Sequence, residues 1–222
     1  RRESWYEVPL MEWFEEAWKK VSGKKRRFVD EYHEFAYKKR GQEMMTRVYN
    51  NPGPIKNLSI KIQKDLPYFW LSETDNIILC GRLDWLEYFA VSDSVGIIDF
   101  KTGKRKEKAD SLQLPIYYLL AERCQKRKVT KASYWYLALS DEPEEVPLPD
   151  ADESLARLLD IGRKMKLARQ LERFKCPEGE GCFHCEPFER ILAGEGEFVG
   201  IDDFGYDVYI LAEKKEGESI IL

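Results

Sequence analysis

A short apolar run, residues 95–98 (VGII), passes directly into Asp99, Phe100 and Lys101. A run of this length without charges is typical of a central strand of a sheet. Because side chains i and i+2 of a strand point to the same face, we expect Asp99 and Lys101 to project together and Phe100 to point to the opposite, buried side. An isolated Asp-x-Lys is usually a solvated strand edge, but charges at the end of a buried strand favour a functional edge of the sheet.

Around this strand, the spacing of the apolar residues predicts a mixture of helices and strands. Helical spacing covers residues 5–21, 29–49, 111–126 and 154–174, and β-type patterns cover 58–62, 68–71, 76–88, 95–100, 132–139 and the tail after 198. The acidic, proline-bearing stretch 141–150 predicts a loop. This order predicts an α/β fold with a central mixed β-sheet flanked by helices. We expect a helical region at 1–54, a core at 55–193 and a short β-rich extension at 194–222.

A second carboxylate, that of Asp84, lies late in the predicted strand that precedes residue 95. Pairing of the two strands across a short turn brings the Asp84 carboxylate to that of Asp99. Two carboxylates and a main-chain carbonyl at a strand end make an oxygen-rich site suited to Mg²⁺ or Mn²⁺. Lys101 beside them can hold a water molecule and stabilise the charge that develops on a phosphate. The pattern predicts metal-dependent hydrolysis of a phosphodiester.

The overall charge argues against a nucleic-acid partner, whereas the distribution of charge does not. The 36 basic and 40 acidic residues give a formal net charge of −4, which is unusual for a nucleic-acid binder. The basic residues nevertheless cluster at 24–27, 38–40, 101–108 and 126–131. The basic stretch after Gly103 predicts either a solvated turn or, next to the carboxylates, a loop that holds phosphate groups.

Three motifs occur in a fixed order: GRLD at residues 81–84, IIDFKTGK at 97–104 and LQLPIYY at 112–118. Together they resemble the PD-(D/E)XK nuclease superfamily, and more narrowly its RecB-type branch, which includes helicase-associated exonucleases and CRISPR-adaptation nucleases. The resemblance is close over residues 55–139 and looser beyond. It implies a restriction-endonuclease-like core.

The resemblance also implies roles for individual residues. Asp84 and Asp99 would be metal ligands, with the carbonyl of Phe100 completing the metal shell, and Lys101 would be the catalytic lysine. The side chains of Gln113 and Tyr117, one helical turn apart, would face the active site and the DNA. Their other interpretation is a half-buried helix face, which suits the neighbouring Tyr118 better than this pair.

The family usually places a metal-binding histidine or glutamate on an N-terminal helix. His33 and Glu34 lie on a predicted helix, but they do not align with that motif, and a lone helical histidine is more often a surface or packing residue. The chain opens on RRES without a methionine. We therefore expect that an upstream segment, with the missing ligand, precedes Arg1.

Three cysteines, Cys176, Cys182 and Cys185, form a C-x5-C-x2-C cluster with His184 inside it. Many RecB-type nucleases carry an iron–sulfur cluster on one N-terminal and three C-terminal cysteines. The last pair matches that pattern, but no cysteine follows Cys185 and none precedes Cys80. A [4Fe–4S] cluster takes four thiolates, zinc would use three cysteines and His184, and a metal-free remnant is the third alternative.

Cysteine number and hydropathy bear on the compartment. Five cysteines, an odd number, argue for a reducing environment rather than a disulfide scaffold, so we expect a cytoplasmic protein. Cys80 and Cys124 are expected to be ordinary buried cysteines. No uncharged apolar stretch approaches the roughly 20 residues of a membrane span, and no signal peptide follows Arg1.

These observations predict a Mg²⁺- or Mn²⁺-dependent deoxyribonuclease, an exonuclease acting on single strands or duplex ends in DNA repair, recombination or CRISPR adaptation. The resemblance implies a helicase or a CRISPR-adaptation protein as a partner. The alternative is a catalytically inactive nuclease-fold subunit that binds DNA in a larger complex. A hydrolase of another phosphate ester fits the metal site but not the basic loop or the Gln-x-x-x-Tyr helix.

Overall fold

The computed structural model describes residues 9–23, 28–63, 66–176 and 182–212. These residues fall into two compact units: a core unit, Thr46–Phe174, and a terminal unit made of Arg1–Met45 and Lys175–Leu222. All three predicted motifs lie in the core unit and the cysteine cluster lies in the terminal unit. Compactness does not test whether a segment folds alone, so the domain bounds at 54 and 193 stay predictions.

The described residues form helices and strands in a mixed order. They are α1 (Leu10–Lys19), α2 (Glu31–Asn50), β1 (Tyr68–Ser72), β2 (Ile77–Cys80), β3 (Trp85–Phe89), β4 (Ser94–Lys101), α3 (Gln113–Cys124), β5 (Val129–Tyr136), β6 (Glu144–Val146), α4 (Ala151–Gln170), α5 (Glu186–Leu192), β7 (Gly196–Ile201) and β8 (Asp207–Leu211). A 3-10 turn, Gly53–Lys56, follows α2.

The core unit is built on a four-stranded mixed sheet in the order β3-β4-β5-β6. The pair β4–β5 is parallel and the other two pairs are antiparallel. Strand β4 is buried from Ser94 to Asp99, because it lies inside the sheet and α3 packs over it. The predicted α/β fold with a central mixed sheet flanked by helices is confirmed, and the arrangement is consistent with a restriction-endonuclease-like core.

The two faces of β4 carry different side chains. Val95 and Ile97 belong to an apolar cluster with Leu114 and Ala121 of α3, so the odd-numbered residues of β4 face this helix. Phe100 faces the other way, and its ring centroid lies 5.8 Å from that of Trp135. Asp99 and Lys101 therefore continue the α3-facing row of side chains to the carboxyl end of the strand.

Three local predictions about strands were wrong. Residues 76–88 do not form one strand: β2 ends at Cys80, where the Gly81 N–H bonds to the Pro67 carbonyl of the β1–β2 hairpin at 3.1 Å, and the chain then crosses to the central sheet. Residues 58–62 make only one bridge, Ser59 to Glu87. The predicted loop 141–150 contains β6, because Val146 pairs with Ala132 of β5 and packs against the core cluster.

The last helix of the core unit begins earlier than predicted. The Asp150 side chain accepts a hydrogen bond from the Glu153 N–H at 2.9 Å and so caps α4. This is the role that aspartate favours at a helix N-terminus. Asp150, the last residue of the predicted loop, is thus the N-cap of α4, which packs against α3 and the β1–β2 hairpin.

In the terminal unit, α1 packs against α2 through aromatic residues. A Cβ at Gly41 would lie 2.6 Å from the Phe14 ring, so the glycine allows close approach of the two helices. Trp18 of α1 donates to Glu34 of α2 at 3.1 Å. Helix α1 begins at Leu10; the predicted start at residue 5, and residues 213–222 of the predicted tail, lie outside the described residues. None of the described helices combines the length and apolarity that a membrane span requires.

Candidate active site

Two carboxylates meet at the end of the central strand. Trp85 pairs with Ile98, so Asp84, which immediately precedes β3, lies opposite Asp99. Its Oδ2 accepts a hydrogen bond from the Phe100 N–H at 3.0 Å. The expectation that Asp84 lies late in a strand was wrong: it stands at the end of the crossing segment 81–84, and its carboxylate is fixed by the neighbouring strand.

Asp99 is the most deeply buried charged side chain of this site, with 1% of its surface exposed. Burial raises the pKa of Asp99 to about 6; the Lys101 ammonium opposes this rise and the Asp84 carboxylate adds to it. Two acids so close cannot both ionise freely without a cation. The pair therefore favours a positively charged partner.

Lys101 lies between two carboxylates, those of Asp99 and Glu107, and the start of α3. Its Nζ is 2.8 Å from Asp99 Oδ2 and 2.8 Å from Glu107 Oε2, and it also donates to Gln113 Oε1. Burial alone would lower the pKa of Lys101, but the Asp99 and Glu107 carboxylates raise it. The lysine is thus held as an ammonium ion.

Gln113 connects the acids to the lysine. From the first position of α3, its Nε2 donates to Asp99 Oδ1 at 3.0 Å and lies 3.3 Å from the Tyr117 hydroxyl, while its Oε1 accepts from Lys101. Burial raises the pKa of Tyr117, which keeps its hydroxyl protonated. The structure therefore brings together all five side chains that the motifs indicated: Asp84, Asp99, Lys101, Gln113 and Tyr117.

Sequence reasoning missed Glu107 and the tyrosines of β5. Glu107 is the single acid in the basic stretch KRKEK, and its carboxylate turns back to Lys101. Hydrogen bonds from Lys101 and Ser111 lower the pKa of Glu107. Burial raises the pKa of Tyr134 to about 12, and its ring centroid lies 5.3 Å from Lys101 Nζ. The parallel pairing of β5 with β4, invisible in the local pattern, places this ring beside the site.

The stretch 104–108, here called the basic loop, follows β4. Lys104, Arg105, Lys106 and Lys108 are all exposed. Lys106 forms an ion pair with Glu144 at 2.5 Å. The exposure of these cations fits a loop that contacts phosphate groups, and that role stays a prediction.

The family model of the PD-(D/E)XK nuclease superfamily matches residues 2–189. The chain belongs to this superfamily. The resemblance inferred from the three motifs is confirmed at the level of the superfamily, and membership of the RecB-type branch stays a prediction. No curated protein and no solved structure matches the chain significantly.

Members of the PD-(D/E)XK superfamily are generally nucleases and typically use divalent metal ions, so the donor set of this chain can be tested for such an ion. Asp99 Oδ2 is buried and accepts no well-aligned hydrogen bond among the described residues, although Lys101 Nζ lies 2.8 Å away. The ion pair is thus close but poorly directed. A buried oxygen with spare acceptor capacity beside a second carboxylate fits Mg²⁺ or Mn²⁺, which prefer oxygen ligands.

The three clustered cysteines form a second candidate metal centre of this PD-(D/E)XK superfamily member. The sulfur atoms of Cys176, Cys182 and Cys185 all lie within 4.8 Å of one another. A hydrogen bond from the His184 backbone lowers the pKa of the Cys182 thiol. The side-chain hydrogen bond between Cys182 and Cys185 raises the pKa of the Cys185 thiol. Among the described residues no fourth ligand joins the three sulfurs, and the His184 ring packs edge-on against Phe183. The donors fit a metal that takes three thiolates here and a fourth ligand from elsewhere.

The structure also shows the surroundings of His33, Cys80 and Cys124. His33 accepts from the Val29 N–H at 3.4 Å and its ring packs 4.8 Å from Tyr37, which agrees with a packing residue. Cys80, expected to be buried, is exposed, because it lies on the outer side of the β1–β2 hairpin, where burial alternates along β2. Cys124 is half-buried.

Proposed function

We propose that the protein is a metal-dependent deoxyribonuclease whose active site is the cluster of Asp84, Asp99, Lys101 and Gln113, here called the active-site cluster. One observation carries this proposal: Asp99, Lys101 and Gln113 share hydrogen bonds and an ion pair at the end of the central strand, and the Asp84 carboxylate lies beside that of Asp99. A protein that only binds DNA has no need for this combination.

Each residue has a distinct role in the proposed reaction. Asp84 and Asp99, with the carbonyl of Phe100, would hold a divalent cation. When bound, Mg²⁺ or Mn²⁺ supplies polarisation of the phosphate and a lower pKa for the attacking water. Lys101 holds a water molecule or a phosphate oxygen and stabilises the negative charge that develops in the transition state. Gln113 fixes the Asp99 carboxylate and the Lys101 ammonium relative to each other.

The substrate and the pathway rest on the RecB-type resemblance. We infer DNA with a free end as the substrate, bound by the basic loop, and exonuclease activity in repair, recombination or CRISPR adaptation beside a helicase or an adaptation protein. The RecB-type resemblance favours a [4Fe–4S] cluster over zinc on the three thiols, and either metal would take its fourth ligand from outside this group. The odd number of cysteines in the sequence, five, favours a reducing compartment such as the cytoplasm.

The test compares the wild type with Asp99→Ala and Lys101→Ala on end-labelled linear DNA and on closed circular DNA, single- and double-stranded, with Mg²⁺ or Mn²⁺. We expect cation-dependent cutting of linear DNA that both substitutions abolish. Lys164→Ala is the matched control, because Lys164 is an exposed α4 residue paired only one turn away with Asp160 at 2.6 Å. Binding of DNA without any cation-dependent cutting by the wild type would leave the inactive binding subunit as the function.

A further inference from the structure

Glu107 is a carboxylate that the superfamily motifs do not account for. It lies six residues beyond Lys101 in the basic loop, among exposed cations. Its side chain turns inward, with 27% of its surface exposed, and its Oε2 lies 2.8 Å from Lys101 Nζ. A single acid inside a phosphate-contacting loop weakens the attraction for DNA, so its presence calls for another role.

We propose that Glu107 is a positioning residue that holds the Lys101 ammonium in its working place while Asp99 is engaged with a cation. This inference rests on the proposed function. Lysine has a long flexible stem and a strongly hydrated point charge, so a single contact does not fix its head group. Fixing that head group within reach of the reacting phosphate is what a positioning residue contributes to the rate.

The donor count of Lys101 explains why a third acceptor matters. An ammonium group has three N–H donors, and three acceptor groups surround Lys101 Nζ: it donates to Gln113 Oε1 and forms ion pairs with Asp99 and Glu107. Two of these partners belong to the active-site cluster. Glu107 does not form a joint three-carboxylate site with Asp84 and Asp99 among the described residues. Its carboxylate therefore stays available to Lys101 when the other two carboxylates hold a cation.

Glu107 is itself held at both its backbone and its side chain. Its N–H donates to the Tyr136 hydroxyl at 3.1 Å, which ties the loop to the end of β5. Its carboxylate also takes a hydrogen bond from Ser111, just before α3. The residue is thus anchored to the strand next to Lys101 and to the helix that carries Gln113, as a positioning role requires.

The test measures two quantities on Glu107→Ala: the single-turnover rate of DNA cutting at saturating protein with Mg²⁺, and DNA affinity by fluorescence anisotropy with Ca²⁺ in place of Mg²⁺. We expect the rate to fall by about 10- to 100-fold, as for misplacement of a catalytic group, with Kd changed less than about threefold, as for a residue that contacts no phosphate. Glu107→Gln keeps an acceptor oxygen and should recover most of the rate. Glu107→Asp has a side chain one methylene shorter, so its carboxylate does not reach Lys101 and the rate should stay low.

Glu144→Ala is the matched control, because it removes the other ion pair of the basic loop, Lys106–Glu144, without touching Lys101. It should cut at the wild-type rate. An unchanged or faster Glu107→Ala, or an equal loss in Glu144→Ala, overturns the inference. If Glu107→Ala does not fold, the other two variants decide. Glu107→Gln should then cut DNA faster than Glu107→Asp, and a Glu107→Gln rate no higher than that of Glu107→Asp overturns the inference. A wild type that does not cut DNA refutes the proposed function and the inference with it, whereas a wild type that cuts as fast as Glu107→Ala refutes the inference alone.

Discussion

At the scale of single residues, the site is defined by a buried acid. Asp99 lies at the end of an apolar strand, and its pKa is raised to about 6, first by burial and then by its neighbour Asp84, against the pull of Lys101. Burying a charge without full compensation costs free energy. Functional sites commonly retain such a cost, because the same group performs the chemistry.

This cost makes the free energy of unfolding depend on pH. A carboxyl whose pKa rises on folding contributes stability below its unfolded pKa, 3.8, and loses it as the pH rises through about 6. At pH 8 without metal, the cost of the ionised Asp99 is fully present. We expect the free energy of unfolding of Asp99→Asn at pH 8 to exceed that of the wild type by about 1–3 kcal/mol. The difference should shrink between pH 6 and pH 4.

Asp93→Asn is the contrasting control for that titration. A hydrogen bond from Arg127 lowers the pKa of the exposed Asp93, so its contribution is present above pH 3.8 and is lost as the pH falls. Its replacement should lower stability slightly at pH 8. Urea unfolding curves of the three proteins from pH 4 to pH 8 measure both effects. An Asp99→Asn variant that is no more stable than the wild type at pH 8 would show that the buried charge is already compensated.

At the scale of elements, β4 joins the core to the chemistry. Its α3-facing side chains run from Val95 and Ile97, both fully buried, to Asp99 and Lys101. The period of two along a strand therefore fixes both the packing of the core and the direction of the site residues. We therefore expect that a packing defect in the apolar part of β4 destabilises the strand that carries Asp99 and Lys101.

Ile97→Ala tests this dependence. Removing three of the four side-chain carbons at a fully buried position should cost about 2–5 kcal/mol in unfolding free energy. Ile78→Ala, on the half-exposed side of β2 (44% exposed), should cost less than about 1 kcal/mol. Chemical denaturation of both variants measures the difference. Equal losses of unfolding free energy in the two variants would mean that Ile97 in β4 contributes no more to stability than the exposed Ile78 of the hairpin.

Local patterns predicted those parts of the structure that local rules determine. The common direction of Asp99 and Lys101 follows from strand periodicity, and the pairing of Gln113 with Tyr117 follows from helix periodicity. The break after Cys80, the pairing of β6 and the inward turn of Glu107 depend on tertiary contacts with Pro67, Ala132 and Lys101. Alternation of residue types carries no record of such distant partners.

At the scale of the whole molecule, the described residues of each unit include a candidate metal centre: oxygen donors in the core unit and sulfur donors in the terminal unit. The two donor types select different metals, because carboxylates suit Mg²⁺ and Mn²⁺ whereas thiolates suit iron–sulfur clusters and zinc. The net charge of −4 likewise hides an uneven distribution, with exposed cations gathered in the basic loop beside the acids of the active site.

The sulfur centre is tested by composition and colour. We expect protein purified without oxygen to contain iron and sulfide and to absorb broadly in the visible range. We expect Cys182→Ser to lose the iron, the sulfide and the absorbance, since it removes one of the three thiolates. Cys80→Ser is the control, because Cys80 lies outside the cluster. Zinc in place of iron, or the same metal content in Cys182→Ser, would contradict an iron–sulfur cluster on these thiols.

The central claim is that Asp84 and Asp99 would hold a divalent cation and that Lys101 stabilises the charge that develops during phosphodiester hydrolysis. It separates into a test of cation binding and a test of the cutting rate. Loss of the free Mn²⁺ signal in electron paramagnetic resonance measures binding, and single-turnover cutting of labelled DNA on the same samples measures the rate. The account predicts that Asp99→Ala loses both, while Lys101→Ala binds Mn²⁺ like the wild type and cuts about 100-fold or more slowly. Wild-type Mn²⁺ binding and cutting by Asp99→Ala would contradict it.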